Sequence, residues 1–261
     1  MLGSLLKFRL FRKPDNPVRL GLDCREKPVY VDFRSDFVVF TGVYERFSAY
    51  INLVLKENLP VIERAIVVDV EEEPRAFFMN GYSTTLEGLK KSPLPTDFSL
   101  NRISIRLDRK SLTSRAQDLL NFRVYEAVKK GGYSLVVINC PFPKWESLAD
   151  LIEALRRVNR GVWLKTFSFS DLPLSLGRIW DSCSVRNRCF GLGWFNDRHL
   201  KKIAMLTDTS IAQRLSYYSG RLYNRSGFFF VREKEVRAVP FRWSSGKRVQ
   251  EGEEFCRGIR W

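Results

Sequence analysis

One turn in this chain comes close to a phosphate-binding loop: Gly42-Val43-Tyr44-Glu45-Arg46-Phe47-Ser48-Ala49. It follows an apolar, strand-like run, Phe37–Thr41, and leads into a helical pattern over Ser48–Leu59. That order turns the backbone N–H groups of a helix start toward an anion. A working loop reads G-x-x-x-x-G-K-[S/T]. Its second glycine lets the backbone wrap the phosphates, its lysine neutralises them, and its hydroxyl binds magnesium. Gly42 stands at the first glycine, whereas Phe47, Ser48 and Ala49 fall where glycine, lysine and hydroxyl belong. Glu45 would face the phosphates with a negative charge, and Phe47 would fill the volume they need. Replacing Glu45 or Arg46 is the way to expose an atypical catalytic site in this turn.

Other chemistry-bearing residues are more scattered. Asp69, Glu71, Glu72 and Glu73 end an apolar run and suit either a divalent cation or a solvated turn, the plainer reading because no lysine stands close by for nuclease chemistry. His199 is the one histidine and has no nucleophile beside it. Cys183 and Cys189 are spaced so that they could bridge or bind metal, but ordinary buried thiols are the simpler expectation, and no metal site is expected. Rings and cations interleave from Tyr217 through Arg221, Tyr223 and Arg225, and again in Phe241-Arg242-Trp243. This pattern fits single-strand stacking and equally fits a core strand beside a snorkelling arginine. Arg102, Arg106, Arg109, Lys110 and Arg115 make a second basic stretch, either a channel lining or a solvated face.

The elements that must position these residues follow from periodicity. Pro28–Phe33, Phe37–Thr41, Ala65–Val70, Leu135–Asn139 and Val162–Phe167 read as strands, the middle three nearly continuously apolar as in a sheet covered on both faces. Arg102–Leu107 alternates and reads as a half-exposed strand. Helices are expected over Ser114–Lys130, stopped by Gly131-Gly132, and over Trp145–Val158, stopped near Gly161. Beyond Val185 come strands over Arg188–Phe195, Gly227–Arg232 and Val236–Phe241, with helical stretches near Asp197–Leu206 and Ser210–Tyr218. Strands alternating with helices indicate an α/β fold with a mostly parallel central sheet. A single domain over residues 1–241 is expected, with 242–261 as a docking tail.

Composition narrows the partners. The 261 residues are 44% hydrophobic, enough for a large core, and carry 44 Lys plus Arg against 29 Asp plus Glu, a net charge of +15. The excess is spread over several segments, which favours a polyanionic partner, nucleic acid first. No run approaches the length of a membrane span and no signal-peptide core forms before Lys7 and Arg9, so a soluble, cytoplasmic protein is expected. Five scattered cysteines exclude a disulfide scaffold, and the charged, glutamine-poor composition hints at a heat-adapted source.

Several segments together resemble the HerA-FtsK superfamily of hexameric DNA-pumping motors. Val18–Asp23 and Pro28–Phe33 resemble the β-hairpin that precedes the phosphate loop in that superfamily, here within residues 1–35, and Phe37–Gly42 the strand into the loop. Ile66–Glu73 looks like its second strand and acidic turn. Leu135–Cys140 resembles the Walker B strand, with Asn139 and Cys140 in place of the Asp-Glu pair that handles magnesium and water. Val162–Pro173 resembles the sensor strand, where Thr166 is kept and Phe167 replaces the usual glutamine. Cys183–Phe190 matches a region in which such motors keep arginines that reach a neighbouring subunit's nucleotide, here Arg186 and Arg188.

The resemblance implies a RecA-like P-loop NTPase fold with extra strands at both ends. Loss of the clamp lysine, hydroxyl, carboxylates and glutamine removes the electrostatic stabilisation on which phosphoryl transfer depends. A non-catalytic relative that binds nucleic acid, DNA foremost, or an active partner ATPase is therefore expected, with no cofactor. The alternatives are an ATP·Mg-dependent motor subunit completed in trans within a homo-oligomer, and a structural assembly protein.

Overall fold

The computed structural model describes residues 14–23, 27–41, 62, 64–70, 81–97, 102–140, 145–184, 188–207, 210, 212–215, 225–232 and 235–243, with backbone alone for much of the last two strands. Among these described residues eleven strands form one sheet: β1 (Pro17–Asp23), β2 (Pro28–Asp32), β3 (Phe37–Thr41), β4 (Ala65–Val70), β5 (Tyr82–Thr85), β6 (Arg102–Leu107), β7 (Leu135–Asn139), β8 (Gly161–Thr166), β9 (Cys189–Phe195), β10 (Arg225–Arg232) and β11 (Glu235–Trp243). The helices are α1 (Leu86–Lys91), α2 (Ser114–Gly131), α3 (Leu148–Arg157), α4 (Gly177–Asp181) and α5 (Asp197–Leu206).

The spatial order is β2-β1-β11-β10-β9-β3-β8-β7-β4-β6-β5. From β9 to β5 every neighbouring pair is parallel; from β9 back to β2 every pair is antiparallel. In the parallel part β3, β4, β7 and β8 are buried at every position, as their unbroken Val, Ile and Leu runs require. Alternate residues feed two cores. Val39, Val68, Ile138 and Leu164 pack in the same cluster as Leu120 and Val124 of α2 and Ile152 and Leu155 of α3. On the opposite side Phe40, Val67, Val137 and Trp163 cluster with Val18, Leu20, Val29 and Val31 of the β1–β2 hairpin.

The helix ends follow from capping chemistry. The Thr113 side chain accepts from the Ala116 N–H to open α2, and Gly132 closes it at φ 68°. Asn196 caps α5 by accepting from the His199 N–H at 3.0 Å, so that histidine sits in a helix's first turn.

Three expectations change. The alternating strand Arg102–Leu107 is not half-exposed: it lies between β4 and β5, with Arg102 and Ser104 buried. α3 ends without glycine, on Asn159 at φ 55°, and Gly161 instead begins β8, where a Cβ would run into the Phe33 carbonyl oxygen. β11 continues through Arg242 and Trp243, which pair with Leu22 and Gly21 of β1, so the hairpin joins the sheet through the segment expected to begin the tail. β5 and α1 were not legible as elements. The expected helix Ser48–Leu59 lies outside the described residues; of Ser210–Tyr218, residues 210 and 212–215 are described and helical, and the rest lie outside.

Candidate functional site

All seven parallel strands among the described residues end on one edge of the sheet, and β3, which the expected turn follows, ends there at Thr41 between β9 and β8. Gly42, Glu45, Arg46, Phe47, Ser48 and Ala49 lie outside the described residues, as do Glu71, Glu72 and Glu73. The root of the turn is described. Thr41 is in register with Thr166 of β8 and Gly193 of β9, and its Oγ1 donates to the Leu192 carbonyl at 3.3 Å. Gly193 has φ 145°, and a Cβ there would run into the Thr41 carbonyl oxygen. Only glycine lets β9 close onto β3 at this point.

Next to this root a polar row crosses the sheet. Lys165, Asn139, Asp69 and Arg106 are successive register partners on β8, β7, β4 and β6. Successive partners share a face, so the row caps the core containing Val67, Val137 and Trp163. Lys165, Asn139 and Asp69 are each at most 2% exposed. Asn139 Nδ2 donates to Asp69 Oδ1 at 2.7 Å. Burial pushes the Asp69 carboxyl up to about 6, against the opposing pull of the Asn139 hydrogen bond and the charges of Lys165 and Arg106. The row therefore carries one carboxylate against two cations.

In the superfamily that the sequence resembles, carboxylates at the end of the strand corresponding to β7 would handle magnesium. Asn139 presents an amide there and commits its N–H to Asp69. Cys140 points the other way, into the core beneath α2 and α3. Thr166 is buried at the end of β8, and Phe167 after it is partly exposed. The Asp69–Lys165 juxtaposition was missed from the sequence. Its signal was available: a lone charge inside each of two apolar strand runs, near the same end of each.

The basic residues separate by environment. Arg102 is 8% exposed and donates through Nη2 to the Ile62 carbonyl at 3.0 Å, so its guanidinium serves the fold. Arg106 is half-buried, whereas Arg109, Lys110 and Arg115 are exposed beyond the end of β6, on the edge that carries the turn. Arg188 precedes β9, at the opposite end of the strands, roughly 15 Å from Thr41 by strand rise. It holds the fully buried Asp36 of its own chain with Nε at 3.1 Å and Nη2 at 2.6 Å. Arg186, Arg221 and Tyr223 lie outside the described residues, and Arg225 is described by its backbone, at the start of β10. Among the described residues no group of three or more His, Cys, Asp or Glu could hold a metal ion, and no helix is long and apolar enough to cross a membrane.

No protein-family model and no curated protein sequence matches the chain. Solved structures do. The genome packaging NTPase B204 of Sulfolobus turreted icosahedral virus 2, in complex with ATP-gammaS, superposes with a TM-score of 0.52 at 13% identity, covering 80% of this chain and 98% of that one. The same protein in complex with AMP gives 0.50 at 14% identity over the same shares. VirB4 of Thermoanaerobacter pseudethanolicus gives 0.52 at 8% identity, covering 92% of this chain and 98% of that one. The fold is thus the RecA-like α/β fold of P-loop ATPases, extended by an antiparallel group built from both ends of the chain.

Proposed function

We propose that this chain is a non-catalytic relative of the DNA-translocase ATPases that binds nucleic acid, DNA foremost, as a subunit of an oligomer or beside an active ATPase. The observation that carries the reading is Asn139: a buried amide, bonded to Asp69 at 2.7 Å, stands at the strand end where the fold's ATPases need a magnesium-handling carboxylate. The turn sequence supports it, since Gly42–Ala49 lacks the clamp lysine and hydroxyl. The nucleic-acid part rests on the +15 net charge and on Arg109, Lys110 and Arg115 exposed at the same edge. The kinship in fold with a genome packaging NTPase fits a protein that works on DNA.

The test is fluorescence anisotropy with labelled duplex and single-stranded DNA across a salt series. Affinity that falls steeply as salt rises supports the reading; absent or salt-insensitive binding removes its nucleic-acid part. A second reading, an ATPase with an atypical site, is favoured by Asp69, a carboxylate retained one strand away from the position Asn139 occupies. Magnesium-dependent turnover lost in Asp69→Asn would favour it.

A further inference from the structure

Two cysteines converge at the end of the sheet opposite the edge where β3 ends at Thr41. Cys183 follows α4, and Cys189 is the first residue of β9. Their sulfurs are 2.8 Å apart. That is closer than two unbonded sulfurs ordinarily rest, and only about 0.8 Å beyond a disulfide bond. Both thiols also point at one acceptor, the Ile179 carbonyl, at 3.6 Å from Cys183 Sγ and 3.5 Å from Cys189 Sγ. Arg156 Nη1 donates to the same oxygen at 3.1 Å. Ser182 Oγ donates to it as well at 3.0 Å, so four donors share this one carbonyl, at least one thiol is weakly satisfied, and bonding the sulfurs to each other removes that competition.

We infer that Cys183 and Cys189 form a redox-responsive disulfide that staples α4 to the start of β9. Metal binding is the other chemistry open to such a pair, but two thiolates make half a zinc site, and among the described residues no group of metal-binding side chains forms around them. Accessibility sets the order of events. Cys183 is partly exposed, whereas Cys189 is fully buried. Burial and the adjacent thiol hold Cys189 well above the usual thiol range, so it stays protonated while Cys183 meets the oxidant.

The oxidant is a low-molecular-weight disulfide. The Cys183 thiolate attacks one of its sulfurs, forming a mixed disulfide and expelling the first thiol. Cys189 then attacks the Cys183 sulfur, gives up its proton and expels the second. Two protein thiols lose two electrons and two protons; the small disulfide becomes two thiols. The bridge would close a ring of residues 183–189 whose last strand start is already held by the Arg188–Asp36 ion pair. Bond and ion pair would then fix the β9–β3 junction from adjacent residues.

The experiment uses the full chain, incubated with oxidised glutathione, alkylated without reduction, digested with trypsin and mapped by mass spectrometry. Cleavage at the intervening arginines separates peptides 179–186 and 189–198. The inference expects these two peptides joined, two hydrogens lighter than their sum and freed by a phosphine reductant. It also expects reduction to lower the melting temperature of the oxidised wild type by roughly 5 °C, and to leave that of Cys183→Ser/Cys189→Ser unchanged. Recovery of both peptides alkylated after oxidation, or a bridge to Cys24, Cys140 or Cys256, would overturn it. Neither outcome bears on nucleotide or nucleic-acid binding.

Discussion

The single carboxylate of the polar row, Asp69, links the site to a measurable property of the molecule. Its carboxyl titrates near 6 in the folded chain and near 3.8 in the unfolded one, so between these values the folded state binds more protons. Stability from this residue is present below pH 4, falls as pH rises toward 6, and is level above; the full difference is about 3 kcal/mol. Burial raises Asp36 in the same direction, so the comparison that isolates Asp69 is wild type against Asp69→Asn, which should lose the Asp69 part of the decline in urea-unfolding free energy from pH 4 to pH 7. Converting the amide to a carboxylate, Asn139→Asp, sets two carboxyls where a 2.7 Å hydrogen bond now stands. The variant should lose about 2–3 kcal/mol at pH 7 and recover much of it at pH 5; an Asn139→Asp protein as stable as wild type at pH 7 would mean that the row is not dry.

At the scale of elements, the sheet end opposite the turn depends on one ion pair and the turn's root on one glycine. Arg188→Ala leaves the Asp36 carboxylate buried without its guanidinium and should cost about 3–5 kcal/mol by chemical denaturation, with or without nucleotide. An arginine acting across a subunit boundary would instead change turnover and leave stability nearly unaltered. Gly193→Ala places a methyl against the Thr41 carbonyl at a φ that L-residues avoid, and should cost at least about 3 kcal/mol.

The elements also mark how far the sequence could be read. β3, β4 and β7 were legible to the residue because uninterrupted apolar runs mean strands buried on both faces. β6 misled because its arginine and serine positions imply water, while tertiary placement between β4 and β5 supplies partners such as the Ile62 carbonyl. β5 and α1 were hidden because Tyr82–Thr85 and Leu86–Lys91 are too short to show a period. Within the site, the place of Asn139 at the end of β7 was legible from its apolar run. The Lys165–Asn139–Asp69 row was not, because register between strands distant in sequence is set by the whole sheet.

For the whole molecule, the central sheet and its parallel order are those of the P-loop ATPase fold, and the proposed function reads them as retained architecture without the metal chemistry. The positive charge then becomes the property to test. If Arg109 and Lys110 each meet a phosphate, Arg109→Ala/Lys110→Ala should weaken binding across DNA sequences about equally and lower the log–log salt slope by about 2. An unchanged slope would move the contact surface elsewhere on the chain.

The most direct measurement is steady-state phosphate release by the purified chain with millimolar ATP and magnesium, with and without DNA, beside a thermal shift with the same nucleotide. The proposed function predicts no release above the uncatalysed background and no magnesium-dependent rise in melting temperature. Saturable, magnesium-dependent turnover that disappears in Glu45→Ala or Arg46→Ala would contradict it and show that the turn after Thr41 is a catalytic loop.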